Sequence, residues 1–209
     1  TTHVTYNAAT QTQDAAVLSG FVASDVSNGT VAATGLATGR NAGTYASNLS
    51  AIGTDVGNYN VTVTNANLVV GKKSLVLSAG NDSKTYDGTT HSKGTVSAAA
   101  LQGADTITAS QSFASKDVMG SNGSTLQVNS GYTINDGNSG NNYSVSTSTA
   151  TGTISQAALT VTANANAKFV TQADATGYNG VSYSGLVNGE TSSVLGGTLN
   201  ITRTNASTN

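Results

Sequence analysis

The chain repeats itself at an interval of 80 to 85 residues, and this repeat constrains its fold more than any other feature. Thr5-Tyr6-Asn7 returns as Thr85-Tyr86-Asp87. A second phrase, in which an apolar residue precedes a carboxylate by four positions, occurs three times: Phe21-Val22-Ala23-Ser24-Asp25, Leu101-Gln102-Gly103-Ala104-Asp105 and Leu186-Val187-Asn188-Gly189-Glu190. A period of this length is too long for one coil of a solenoid, so each repeat is expected to be a small domain in a tandem array.

The ends of the repeats recur as well and indicate where one repeat gives way to the next. Asn58-Tyr59-Asn60-Val61 matches Asn142-Tyr143-Ser144-Val145, and Leu75-Val76-Leu77-Ser78-Ala79 matches Leu159-Thr160-Val161-Thr162-Ala163. We therefore divide the chain into repeat 1 (residues 1–74), repeat 2 (residues 75–157) and a partial repeat 3 (residues 158–209). The segment at Leu75 either closes repeat 1 or opens repeat 2, and in the second case repeat 1 lacks its first strand.

Short stretches that alternate apolar and small polar side chains predict β-strands with one buried face. They lie at residues 59–64, 75–77, 126–128, 133–134, 159–161 and 199–201. Asn-Gly pairs at residues 28–29, 122–123, 179–180 and 188–189 predict tight turns. The only stretch of helix-forming composition, residues 97–102, is too short to be stable alone, so the sequence predicts mostly β modules with at most one short helix or turn each.

Three carboxylates and the Tyr-Asp-Gly phrase are assigned structural roles. The carboxylates of the repeated corner phrase are Asp25, Asp105 and Glu190. We expect each of them to accept hydrogen bonds from nearby backbone amides. Asp87, between Tyr86 and Gly88, is expected to cap a turn, because its counterpart Asn7 can make the same backbone bonds without a charge.

Composition excludes several functional classes. Charged residues are 9% of the chain and the formal net charge is −2, so we expect neither a nucleic-acid partner nor binding to anionic lipid. The apolar runs are too short to insert into a membrane. With two histidines and no cysteine, we expect no catalytic triad, no Cys/His metal site and no cofactor. The lack of Cys, Trp and Pro is consistent with export through an oxidising periplasm.

A family resemblance is carried by Lys84-Thr85-Tyr86-Asp87-Gly88-Thr89-Thr90, which resembles the YDG type of the MBG domain superfamily. Asn141-Asn142-Tyr143 and Ala150-Thr151-Gly152-Thr153-Ile154 extend the match through repeat 2. Repeat 3 is similar to the start of the YGX type, although Lys168-Phe169-Val170-Thr171 stands where that type has a Tyr-Gly pair. Repeat 1 is a degenerate copy.

The resemblance implies a β-grasp-like module and a place in secreted, haemagglutinin-like bacterial adhesins, including biofilm matrix adhesins exported by two-partner secretion. It therefore implies an extracellular stalk or spacer in cell attachment. The alternative is that the repeats themselves bind exopolysaccharide or other copies of the adhesin. Repeat 1 passes into repeat 2 without a Pro-rich or Gly/Ser spacer, so we expect a stiff rod of end-to-end modules and a monomeric fragment. A β-solenoid is the alternative fold, but it predicts a shorter period that the sequence does not show.

Two further features are candidates for ligand binding. Four tyrosines are candidate glycan contacts, because an aromatic ring can stack on a sugar: Tyr45, Tyr132, Tyr178 and Tyr183. Asn135-Asp136-Gly137-Asn138-Ser139-Gly140-Asn141 has the composition of a calcium loop but brings one carboxylate, so we interpret it as a turn and expect no metal.

Overall fold

The structure is a computed structural model that describes residues 1–165, 169 and 180–200. Strands make up 38% and helices 6% of the described residues, which confirms the mostly β prediction. The first nine strands are β1 (Thr2–Thr5), β2 (Gln11–Thr12), β3 (Ala32–Thr34), β4 (Thr38–Gly39), β5 (Gly43–Ala46), β6 (Ser50–Ile52), β7 (Asn67–Gly71), β8 (Lys73–Ser78) and β9 (Asp82–Thr85).

The later strands follow the same order of short elements. They are β10 (Ser97–Ala99), β11 (Thr106–Thr108), β12 (Gln111–Phe113), β13 (Ser124–Val128), β14 (Thr133–Asn135), β15 (Tyr143–Ser148), β16 (Ala150–Ser155), β17 (Thr160–Ala163) and β18 (Val181–Ser184). The helical elements are α1 (Ala23–Ser27) and the 3-10 turns Val56–Asn58 and Ser192–Val194.

The chain folds into two compact units, each assembled from separate stretches. Unit 1 contains Thr1–Gly80, Thr95–Gln111 and Gln127–Thr149, and unit 2 contains Asn81–Gly94, Ser112–Leu126 and Ala150–Asn209. The units do not follow the repeats. Repeat 2 contributes one part of its chain to unit 1, beside repeat 1, and another part to unit 2, beside repeat 3.

Unit 1 is built on two three-stranded sheets with the orders β1-β7-β5 and β10-β8-β15, supplemented by the pairs β2-β4, β3-β6 and β11-β14. Its core draws on both repeats. The buried cluster combines Tyr6, Ala37, Leu68 and Val70 of repeat 1 with Leu75, Leu77 and Tyr143 of repeat 2. Each fully buried Leu or Val side chain contributes about 1.5 to 3 kcal/mol, so the two repeats stabilise each other through this shared core.

Unit 2 contains the four-stranded sheet β12-β13-β16-β9 and the antiparallel pair β17-β18. Gln111 and residues 127–128, at the ends of two of these strands, group with unit 1. Phe113, Leu126 and Ile154 are buried. A Cβ at Gly152 would lie 2.8 Å from both Phe113 and Leu126, so the small residue of the Ala-Thr-Gly-Thr-Ile phrase allows this close packing.

The repeat of the sequence is also a repeat of strand pairing. Parallel β1 and β7 place Thr2 opposite Leu68, and parallel β9 and β16 place Asp82 opposite Gly152. The antiparallel pair β8-β10 has its counterpart in β17-β18. These small sheets with mixed parallel and antiparallel pairing differ from the continuous parallel rungs of a β-solenoid.

Two strand predictions were wrong, at residues 59–64 and 199–201. Residues 59–64 form no strand, because no strand among the described residues pairs with them, whereas the matching β15 pairs with β8. The Ala-rich residues 97–99, for which the sequence left a short helix or turn open, form β10 because they pair with β8. Residues 199–200 are not in a strand, and residue 201 lies outside the described residues.

The turn predicted at residues 188–189 is confirmed. Asn188 and Gly189 have φ values of 50° and 72°, and the N–H of Glu190 donates to the carbonyl of Val187 at 2.9 Å. Two successive positive φ angles are typical of a type I′ turn. The pair at residues 28–29 ends α1, and residue 179 lies outside the described residues.

Candidate functional site at the repeat junctions

The repeated tyrosines and carboxylates meet where one repeat packs against the next. In unit 1 the Tyr6 and Tyr143 hydroxyls both donate to Oδ2 of Asp105, at 2.9 and 2.6 Å. Tyr6 belongs to repeat 1, whereas Tyr143 and Asp105 belong to repeat 2. We call the contact between repeat 1 and repeat 2, which is centred on these three residues, the first junction.

The environment of the first junction favours the neutral tyrosines. Tyr6 and Tyr143 are 1% and 3% exposed, and their rings pack edge to face with centroids 5.5 Å apart. Burial, and next the hydrogen bond to the Asp105 carboxylate, raise the pKa of both hydroxyls above the ordinary value. The N–H of Gln102 donates to the Tyr143 hydroxyl at 2.8 Å, which fixes the orientation of that hydroxyl.

Unit 2 contains a second junction, formed by Tyr86 of repeat 2 with Glu190 of repeat 3 and Lys116. The Tyr86 hydroxyl donates to Glu190 Oε1, as Tyr6 does to Asp105. Lys116 Nζ donates to the Tyr86 hydroxyl at 2.9 Å and lies 3.9 Å from Glu190 Oε1. The hydrogen bond to the Tyr86 hydroxyl raises the pKa of Lys116.

In repeat 1 the corner carboxylate, Asp25, accepts a hydrogen bond from a tyrosine of the same repeat, Tyr59. The Tyr59 hydroxyl donates to Asp25 Oδ2 at 2.6 Å, and the N–H of Val22 donates to the same hydroxyl at 3.2 Å. The hydrogen bond to Asp25 raises the pKa of Tyr59. Tyr59 thus corresponds to Tyr143.

The corner carboxylates were expected to accept hydrogen bonds from backbone amides, and this prediction of the donor was wrong. They accept hydrogen bonds from tyrosine hydroxyls rather than from nearby backbone amides. The sequence carried a signal for this pairing, because both sets of tyrosines recur at the same interval as the carboxylates.

A buried asparagine forms a second link between repeats within unit 1. Asn142 is fully buried, its Oδ1 accepts the N–H of Ala42 at 2.8 Å, and its Nδ2 donates to Asn41 Oδ1 at 3.2 Å. Asn142 belongs to repeat 2 and its two partners to repeat 1. The sequence did not reveal this role, although the Asn-Tyr phrase is repeated, because the phrase does not show that Asn142 is buried while its counterpart Asn58 is exposed.

The calcium-like loop holds Asn142 in place. Asp136 is 2% exposed and its carboxylate accepts the N–H groups of Asn138, Gly140 and Asn142 at 2.8 to 3.1 Å. Burial acts to raise the pKa of Asp136, but the backbone hydrogen bonds outweigh burial and hold it below its ordinary value. These bonds occupy the carboxylate as a turn cap. Among the described residues, no group of three or more His, Asp or Glu is placed to hold a metal ion.

Asp87 caps the turn of the Tyr-Asp-Gly phrase. Its Oδ1 accepts the N–H of Thr89 at 2.9 Å, and Asn7 Oδ1 accepts the N–H of Ala9 at 3.0 Å in repeat 1. Asp87 also pairs with Lys84 at 2.8 Å. That ammonium, with the donors of Thr89, holds the pKa of Asp87 well below its ordinary value.

The candidate glycan tyrosines lie at separate places. The Tyr45 hydroxyl donates to the Asn41 carbonyl at 2.8 Å. Tyr132 is half-buried beside the core of unit 1 and lines a groove of about 540 Å³ with Lys72 and Asn141. Tyr183 lies in β18 of unit 2, and Tyr178 is outside the described residues. Glycan binding stays a prediction.

Of the two histidines, His3 lies in β1 and His91 forms an antiparallel bridge with Ser112. The matching Gln11 pairs with Gly39 in the β2-β4 ladder, so His91 occupies a repeated structural position. In the described part of the chain, no helix has the length and apolar character needed to cross a membrane.

The strands and junctions define a β-rich chain of tandem repeats. Within it, the profile of the YDG domain family matches residues 71–152, and this stretch is a YDG domain. Neither the curated proteins nor the solved structures yielded a match to the chain.

Proposed function

We propose that the chain is a non-enzymatic repeat segment of a large extracellular bacterial adhesin and acts as a stiff spacer in attachment to surfaces or to other cells. The proposal rests on the shared core of unit 1. Tyr6 of repeat 1 is buried among Leu75, Leu77 and Tyr143 of repeat 2 and donates to Asp105. A spacer transmits position and force only if its repeats do not hinge freely.

Two further contacts favour a stiff first junction. Lys72 alone separates β7 from β8, so the connection has almost no slack. Asn142 ties the loop at Asn41 and Ala42 of repeat 1 to repeat 2. Bending between these repeats would expose apolar side chains and leave buried polar groups without partners, and both changes cost free energy.

The test measures flexibility within unit 1. Because the chain has no cysteine, Thr54→Cys and Ser130→Cys introduce two exposed sites for spin labels, one in each repeat. Double electron-electron resonance is expected to give a narrow distribution of distances between the two labels. Tyr6→Ala is expected to broaden it.

Tyr86→Ala is the matched control, because it removes the equivalent tyrosine from the second junction and leaves the first intact. It should leave the distribution between residues 54 and 130 unchanged. A broad distribution in the parent chain would contradict the stiff spacer, and a narrow distribution that Tyr6→Ala does not alter would contradict the role of Tyr6 in its stiffness.

A second candidate function is exopolysaccharide binding, favoured by the groove in which Tyr132 lies beside Lys72 and Asn141. Its aromatic ring, cation and amide are groups that contact sugars and acidic polysaccharides. Titration with neutral and acidic bacterial exopolysaccharides distinguishes the two functions. A passive spacer gives no saturable binding, whereas saturable binding that is lost in Tyr132→Ala would replace the spacer role.

A further inference from the structure

At each junction the preceding repeat meets the corner of the next repeat through one pair of residues with left-handed backbone. In the first junction the pair is Ala8 (φ 63°) and Gly103 (φ 55°), and in the second it is Gly88 (φ 73°) and Asn188 (φ 50°). Position 8 matches position 88 in the Thr-Tyr phrase, and position 103 matches 188 in the corner phrase. Each pair contains one glycine, but on opposite sides.

Neither junction has room for two β-carbons. A Cβ added at Gly103 would lie 2.8 Å from the Cβ of Ala8, and one added at Gly88 would lie 2.6 Å from the Cβ of Asn188. Carbon atoms in favourable contact lie about 3.5 to 4.0 Å apart. A side chain on both sides would therefore push the two backbone segments apart.

That displacement has a cost, because the neighbouring residues are fixed. Tyr6 and Asp105, two residues from Ala8 and Gly103, are joined by a 2.9 Å hydrogen bond, and Tyr6 belongs to the buried core. In the second junction Asn188 Nδ2 also donates to the Gly88 carbonyl at 3.1 Å. The side chain of Asn188 thus uses the space that the absent side chain of Gly88 leaves.

We propose that this residue pair is a specificity element that selects which repeats can be neighbours. A repeat of the Tyr-Asn-Ala type requires glycine in the corner of the repeat that follows it. A repeat of the Tyr-Asp-Gly type accepts a corner that carries a side chain. The partner surface is another repeat of the same kind, and the selection does not depend on what the array carries or binds.

A double-mutant cycle at the first junction tests this rule. Gly103→Asn converts the corner to the type found in repeat 3, and asparagine tolerates the left-handed conformation better than most residues do. We expect Gly103→Asn to raise the unfolding equilibrium constant of unit 1 at least about tenfold with Ala8 present. In the Ala8→Gly background the same change is expected to have little effect. Gly131→Asn, at another left-handed glycine with no atom within 4 Å of its added Cβ, measures the backbone cost alone.

The second junction gives an independent test with a smaller change. Gly88→Ala and Gly29→Ala each add one methyl group at a glycine with φ 73°, but the added Cβ at Gly29 meets nothing within 4 Å. Gly88→Ala should be more destabilising, and Asn188→Gly should remove that difference. This cycle answers the question even if Gly103→Asn does not fold.

Two outcomes would overturn the proposal. One is an equal effect of Gly103→Asn with Ala8 and with Gly at that position. The other is an equal loss of stability in Gly88→Ala and Gly29→Ala. Urea unfolding of the full chain, followed by circular dichroism and by amide hydrogen exchange of each unit, provides the measurements.

Discussion

The first and second junctions use the same sequence phrases but bury them to different extents. In unit 1, β8 lies between β10 and β15, and Leu75 is fully buried. In unit 2, β17 pairs with β18 alone among the described strands, and the matching Leu159 is 39% exposed. The carboxylates follow the same trend. Asp105 accepts hydrogen bonds from two buried tyrosine hydroxyls, whereas Glu190 accepts one from Tyr86 and lies beside the partly exposed Lys116.

The difference shows that the strand on the second edge of β8, which is β15 in unit 1, completes a junction. Tyr143 begins β15, closes one edge of β8 and donates to Asp105 at 2.6 Å. Where no such strand pairs among the described residues, at β17, the same Leu-x-apolar phrase is partly exposed to water. Burial, rather than the phrase itself, determines how much each residue contributes to stability.

The largest expected effect is the difference between two equivalent truncations, Leu75→Ala in the first junction and Leu159→Ala in the second. Leu75→Ala should lower the free energy of unfolding by about 2 to 5 kcal/mol, because it leaves a cavity in a closed core. Leu159→Ala should cost about 1 kcal/mol or less, because its side chain is already partly solvated. Urea denaturation of both variants checks the comparison, and equal losses would show that the two junctions are equally closed.

The next effect is expected at the asparagine link. Asn142→Ala should destabilise the chain by about 1 to 3 kcal/mol, because it leaves the N–H of Ala42 and other buried groups without their partner. Asn58→Ala, at the matching exposed position, should stay within about 0.5 kcal/mol of the parent. A result in which the two substitutions cost the same would contradict the role of Asn142 in joining the repeats.

The buried tyrosines predict a loss of stability at alkaline pH. The pKa values of Tyr6 and Tyr143 are raised in the folded chain, so the unfolded chain releases these protons first. Their contribution is fully present below about pH 10, the ordinary tyrosine pKa, and falls as pH rises towards the folded values. The slope is at most about 1.4 kcal/mol per pH unit for each tyrosine.

Tyr143→Phe separates this titration from packing. It should lower stability at neutral pH, because the hydrogen bond to Asp105 is lost, but it should make the decline above pH 10 shallower. Urea midpoints measured between pH 8 and pH 11 test both parts. An unchanged alkaline slope would mean that Tyr143 does not carry the dependence.

The smallest effect is expected at the Tyr-Asp-Gly turn. Asp87→Asn preserves the acceptor for the Thr89 N–H and removes only the charge, as Asn7 does in repeat 1. Because the side chain of Asp87 is 49% exposed, its ion pair with Lys84 contributes little, and the change should stay within about 0.5 kcal/mol. A loss above 1.5 kcal/mol in thermal or urea unfolding would show that the charge matters more than the turn.

Local features of the sequence predicted the parts of the fold that depend on neighbouring residues. The alternation at Leu75 and Leu77 predicted β8, and the Asn188-Gly189 pair predicted a left-handed turn. The strand predicted at residues 59–64 failed because a strand needs a partner, and partners are set by residues distant in the chain. Pairing with the distant β8 is also why the Ala-rich segment before Leu101, where the sequence left a short helix or turn open, forms β10.

The candidate site was less predictable, because its contacts join different repeats. Asp105 and Tyr143 are 38 positions apart, and Asp105 and Tyr6 are 99 apart. Comparing one repeat with the next identified Asp105 as a corner residue but did not show which groups fill its acceptor sites. Asn142 was obscured because the copies differ in burial, and composition does not report burial.

The core shared between repeats 1 and 2 has a consequence for how such a chain changes length over generations. A change in the number of repeats gives a repeat a new neighbour, and that neighbour must supply the partner that Tyr6 finds in Asp105. Removal of one period after repeat 1 would place Ala8 against the corner of repeat 3, where Asn188 occupies the position of Gly103. The shared core therefore restricts which changes in copy number leave a chain that folds.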